Sequence, residues 1–312
     1  MSKTIILVLI IICLVPSAVG AQQAQPPLTE KEVLKLLKKH KKDQMKAVAI
    51  VGERGVTFDV TPEFQRKLEE TGAELEFFQA VVGASPSGRT FKTPLGDKLE
   101  VSPVEKAAFL QVQNEMDPDR QRTLAADFEQ KHPTSPLMTY VWSQTARVYQ
   151  QKGDYAKTVE HGERSLKLDA NNVFSLVLVA LVLPQPRMLQ GTPAENDRNL
   201  ATAESYATRA LQLLDQIPAA SLENDEQLQK QKAALASDAH AALGMVALHR
   251  DDSPKAVEEF KAAISTATGA NPMNYYRLGE AYENLGKLDQ AIDAFENASN
   301  LGQGTVLKDY AD

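Results

Sequence analysis

The residues able to do chemistry come first, and they do not assemble into a familiar set. Five histidines occur, at His40, His132, His161, His240 and His249. None stands with a glutamate and a second histidine at the spacing of a helical zinc protease site. His240 and His249 fall on one expected helix, nine residues apart, too far along its axis to share a metal. Cys13 is the one cysteine, so the rest of the chain offers no thiolate nucleophile, disulfide or cysteine metal site. Gly83-Ala-Ser-Pro-Ser and Gly88-Arg-Thr-Phe-Lys have neither the spacing of a nucleophile elbow or phosphate loop nor a strand before and a helix after. Carboxylates are many but scattered at helical spacing, mostly opposite Lys or Arg, as on solvated helix faces. Asn297-Ala-Ser299 matches a glycosylation acceptor. These residues imply no cofactor and no metal; the expectation is a binding protein and not an enzyme. The alternative is a hydrolase with its site in the 184–199 insertion or the 85–102 linker.

What would position a binding surface is helical. Aromatics make up 6% of the 312 residues, and few alternating β-branched runs occur after residue 60. Between Ser237 and Leu301 two helix–turn–helix units of similar length follow one another. In the second, Leu278, Ala281, Tyr282 and Leu285 share one helix face. Gly279 lets a second helix come close, and Gly286 stands where the chain must reverse. Leu288, Ala291, Ile292, Phe295 and Ala298 are expected as the apolar stripe of the return helix. Leu243-Gly244, Ala247, Ala256, Phe260, Ala263 and Ile264 repeat the pattern one unit earlier. A single such pair cannot bury both its faces, so stacking is expected.

Tyr275, Leu278-Gly279, Tyr282, Gly286, Ala291, Phe295 and Ala298 follow the order of the tetratricopeptide repeat signature, which this unit resembles. The resemblance implies an all-α, TPR-like α-solenoid of helix–turn–helix repeats, preceded by a small helical N-terminal module. Earlier repeats are expected at 103–133, 139–172, 173–216 (interrupted by the polar 184–199 stretch) and 222–268, with the last at 271–301 and a tail at 302–312. In 139–172, Thr158 replaces the usual alanine and Gly162 the usual large residue, so looser packing is expected there. By the family's register, the concave face would present Tyr140, Ser143, Arg147 and Gln150, then Ala241, Met245, Leu248 and His249, then Tyr276, Glu280, Glu283 and Asn284. The Lys and Asn set with which some relatives grip a terminal carboxylate is missing. The partner implied is a protein or peptide of unknown identity.

The front of the chain reads differently. Lys3, the apolar run Ile5 to Val15, Pro16-Ser17 and the small residues Ala18 to Ala21 make residues 1–21 a signal peptide, cut after Gly20 or Ala21, or else an uncleaved anchor. An exported, periplasmic or secreted protein of bacterial envelope type follows. Residues 28–84 read as a small helical module, with Thr29 and Glu32 as a capping box and Thr61-Pro62 opening a later helix. Lys31, Lys35, Lys38, Lys39, Lys41, Lys42 and Lys46 make its first third basic, which reads either as a contact for anionic lipid or an acidic partner or as a solvated helix face. Residues 85–102, rich in Gly, Pro, Ser and Thr, read as a linker or short extended flap. A net charge of −7 argues against nucleic acid as the partner.

Overall fold

The computed structural model describes residues 26–93, 98–218 and 225–302. The proposed signal peptide, Cys13 and most of the tail lie outside them. The chain divides into two compact units, with the boundary between Ser85 and Pro86.

The first unit holds helices α1 (Glu30–Lys39), α2 (Gln44–Arg54), α3 (Pro62–Thr71) and α4 (Leu75–Gly83). The Thr29–Glu32 capping box forms with both of its bonds, and the Thr61 hydroxyl accepts from the Phe64 amide. Val33, Leu37, Val51, Phe64, Leu68, Phe77 and Val81 make one fully buried core. Gln44, itself buried, donates to the Gly72 carbonyl at 2.8 Å and accepts from the Glu74 amide at 3.0 Å. One side chain thus ties the start of α2 to the α3–α4 turn. The seven lysines of the basic stretch are all exposed.

The second unit opens with a short helix α5 (Pro86–Arg89) and the antiparallel strands β1 (Thr90–Lys92) and β2 (Lys98–Glu100). Of the two readings of this segment, linker or short extended flap, the paired strands agree with the flap. Phe91 and Val101 are buried, and Phe91 meets Phe109 edge-on at 5.1 Å. The segment is part of the core because it carries apolar residues that a free connection would expose.

Five helix pairs follow: α6 (Pro103–Asn114) with α7 (Pro118–Lys131), α8 (Met138–Gln151) with α9 (Tyr155–Leu168), and α10 (Val173–Val182) with α11 (Pro193–Asp215). Then come α12 (Glu226–His249) with α13 (Ser253–Thr266), and α14 (Pro272–Asn284) with α15 (Leu288–Leu301). Caps start them as their sequences direct: Ser102 with Glu105, Asp117, Asp154, Asn172 and Thr192 each accept a first-turn amide. Gly153 and Gly286 reverse two of the pairs at φ of 71° and 68°. The apolar clusters run in sequence along the array, each shared between neighbouring helices, as stacked hairpins require.

Three expectations are corrected. The α9 contact is tight, not loose: a Cβ on Gly162 would stand 2.3 Å from Val179 Cγ2. The missing side chain is replaced by a neighbour's methyl. The polar insertion is shorter than expected, because its Pro193 to Asn199 portion is already the start of α11. On α15 the buried residues are Ala291, Ala294 and Ala298, while Leu288 and Ile292 are 63% and 55% exposed. Among the described residues nothing stacks on that outer face.

Candidate functional site: a groove lined by the first helices

The first member of each pair, α6, α8, α10, α12 and α14, supplies the residues lining two hollows. The first has a volume of about 230 Å³ and takes Phe109 and Gln113 from α6, Tyr140, Ser143, Gln144, Arg147 and Gln150 from α8, Phe174, Val177, Leu178 and Leu181 from α10, and Gln231, Leu235 and Asp238 from α12. Four helices far apart in sequence therefore converge on one cavity. Its chemistry is an apolar surface bordered by amides, with one cation and one carboxylate. The second hollow, about 250 Å³, lies between Pro184, α12 (Met245, Leu248, His249) and α14 (Arg277, Glu280, Glu283, Asn284). It is more polar.

The sequence-derived positions sort as follows. Tyr140, Arg147 and Gln150 stand in the first hollow and are accessible. Arg147 is exposed and donates its Nε to Gln144 Oε1 at 3.1 Å. His249, Glu280, Glu283 and Asn284 stand in the second; the His249 Nε2 donates to the Pro184 carbonyl at 2.8 Å, and Arg277 pairs with Glu280 at 2.8 Å. Tyr276 lines neither and leans on Phe295, ring centres 5.5 Å apart.

Two of the expected contact residues border a hollow yet are largely buried, Ser143 at the first and Met245 at the second. Ser143 is 6% exposed. Its hydroxyl joins Thr139, Ser165, Asn172 and Ser175 in a buried network, 2.7 Å from Ser175 Oγ and 3.1 Å from Asn172 Oδ1. Ser143 thus borders the hollow while its hydroxyl also ties α8 to α9 and α10. Met245 is 8% exposed, borders the second hollow and packs with Leu278, Ala281 and Phe260, and its sulfur accepts from Gln185 Nε2 at 3.6 Å. Ala241 is likewise buried.

Sequence reasoning missed Phe174, Leu178, Leu181, Gln113 and Asp238. For α10 the signal was visible: a helix apolar on every side must place part of that surface away from its own partner helix. Asp238 precedes Ala241 by one turn, and continuing the inner-face register backwards along α12 would have reached it.

The segments considered for catalysis have other employment. Lys106 Nζ donates to the carbonyls of Ser87, Gly88 and Thr90 at 3.3, 3.2 and 2.8 Å. Carbonyls converging on an ammonium are the opposite polarity to a phosphate cradle, which presents N–H groups. In the insertion, Glu195 caps with Thr192, whose hydrogen bonds hold its carboxyl below the usual range. Asn196 and Asn199 donate to the Leu189 and Met188 carbonyls. Among the described residues no group of three His, Cys, Asp or Glu could hold a metal ion. No described helix is long and apolar enough to cross a membrane.

Residues 272–302, which are α14 and α15 with their turn, match the family model described as Tetratricopeptide repeat. That match shows a tetratricopeptide repeat at 272–302, and the stacked hairpins give the array its all-α solenoid architecture. No curated protein matches the chain. Among solved structures, a thermophilic TPR protein of Thermus thermophilus is similar at 16% identity and a TM-score of 0.47, covering 66% of this chain and 96% of that one. MamA is similar at 17% identity and 0.40, over 64% and 93% of the two chains. PilW, described as a widely conserved type IV pilus biogenesis factor, is similar at 14% identity and 0.36, over 67% and 99%. These superpositions carry no weight in the assignment, which rests on the repeat match and the hairpins.

Proposed function

We propose that this protein is a non-catalytic, exported scaffold that docks an extended segment of a protein partner along the first helices of its array. One observation carries the reading: α6, α8, α10 and α12 jointly line one apolar, amide-bordered cavity. A convergence of apolar surface with a few polar groups is the general form of a recognition site. Amide side chains at Gln113, Gln144, Gln150 and Gln231 can both donate to and accept from an extended backbone. Phage selection of random peptides against the full chain tests it. Peptides that bind the parent and lose binding to Leu178→Glu are expected; enrichment indifferent to that change would refute groove docking. Turnover in a broad hydrolase panel would overturn the non-catalytic part.

Export rests on residues 1–21, and the intact mass of protein isolated from its source tests it, since cleavage after Gly20 or Ala21 removes that segment. Contact with a membrane surface would run through a retained leader or through the exposed lysines between Lys31 and Lys46.

A further inference from the structure

One carboxylate in the first hollow has no partner among the described residues. Asp238 sits on α12, half-buried, among the apolar lining that Phe174, Leu178 and Leu235 supply. Among the described residues, no cation or hydrogen-bond donor reaches it. Several other acidic groups of this unit are engaged: Asp119 with Lys152, Glu204 with Arg250 and Lys255, Asp225 with Lys92, Glu280 with Arg277. Arg147, the one cation lining the hollow, is turned to Gln144. His240, two residues further along α12, is held by Glu259 at 2.7 Å.

A carboxylate stripped of part of its water and given no counter-ion is unfavourable in the free protein. Burial accordingly pushes the Asp238 carboxyl up to about 6. A partner that brings a cation would recover that loss. The neighbouring surface says what must accompany the charge. Phe174, Leu178 and Leu181 offer an apolar strip, which suits the methylene stem of a long basic side chain. The volume, about 230 Å³, lies below the range of roughly 300–1,000 Å³ for drug-sized ligands, and fits one long side chain better than a free metabolite.

We infer that Asp238 receives the head of a lysine or arginine in the docked partner segment, its stem lying along the apolar strip of α10. The inference rests on the groove-docking reading above and adds the chemistry the segment must carry.

The test uses the full chain and its Asp238→Asn variant in parallel random-peptide selections, with Leu178→Glu as the groove control and circular dichroism melts to certify folding. Peptides from the parent should carry Lys or Arg beside apolar residues. Their affinity should fall about thirtyfold or more on Asp238→Asn, the loss expected when one partner of a buried charge pair is removed. A peptide with norleucine in place of its lysine should bind both proteins equally. Groove-dependent peptides without a basic residue, bound equally by parent and Asp238→Asn, would overturn this inference and leave groove docking standing. Failure to find any peptide sensitive to Leu178→Glu would bring down both.

Discussion

At the scale of single residues, two positions carry measurable consequences. A Cβ on Gly279 would lie 2.5 Å from the Phe295 ring, so the absence of a side chain is what lets α14 and α15 close on each other. Gly279→Val should cost on the order of 1–3 kcal/mol as overpacking; an unchanged melting temperature would show that the contact is not made. Asp238 behaves oppositely. Its carboxyl is raised from an ordinary value of 3.8 to about 6 by burial, so between those values the folded chain holds a proton that the unfolded chain releases. Stability therefore falls as pH rises through that window. Asp238→Asn lacks the penalty and should gain on the order of 1–3 kcal/mol at pH 7, with little gain below pH 4, read from urea midpoints at both. Gly279 was legible because a glycine inside an apolar helix face weakens the helix unless a neighbour needs the space. Asp238 was not, since a carboxylate on a helix looks the same in sequence whether it faces water or a cavity.

At the scale of elements, the α8–α9–α10 contact concentrates the unusual side chains. His161 on α9 lies parallel to Tyr149 of α8 at 5.0 Å and 5.4 Å from Trp142, with the Arg164 guanidinium 4.1 Å from the Trp142 ring centre. Burial chiefly holds its imidazole below the ordinary 6.5, with Arg164 and Lys157 adding to the effect and Glu160 opposing it. A base whose folded value is depressed contributes stability that is present above 6.5 and lost as pH falls below it. Replacing it with a ring that does not titrate removes this dependence. His161→Phe should hold its melting temperature between pH 7 and pH 5 better than the parent does; parallel decline in both would place the acid sensitivity elsewhere. The sequence made the hairpins readable through Gly153, Gly286 and the capping residues, all of which act locally. Tyr140, Ser143, Arg147 and Gln150, three or four positions apart on α8, all border the first hollow. The hydroxyl network that also buries Ser143 was not visible in that spacing, since its partners Ser165, Asn172 and Ser175 come from later in the chain.

At the scale of the whole chain, the two units each own a core. The first closes around Val33, Leu37, Phe64, Leu68 and Phe77 with both of its capping devices inside its own span. Residues 26–85 expressed alone should therefore melt cooperatively with a helical circular dichroism spectrum; a fragment without a sigmoidal transition would refute its autonomy. The array's class was legible because its last repeat keeps the full signature. The 85–102 hairpin was not, because short strands in a segment rich in turn residues leave no period to count, and only the burial of Phe91 distinguishes it from a connection.

The bare backbone at Gly162 has a reach beyond stability. On one side α10 presses Val179 into that gap, and on another it offers Phe174, Leu178 and Leu181 to the first hollow. One helix thus touches both the α9 contact and the hollow. Any substituent on Gly162 would shove α10 forward and narrow the aperture without altering a single lining residue. Under the docking proposed above, selectivity would then drift through changes at a site remote from the docked segment.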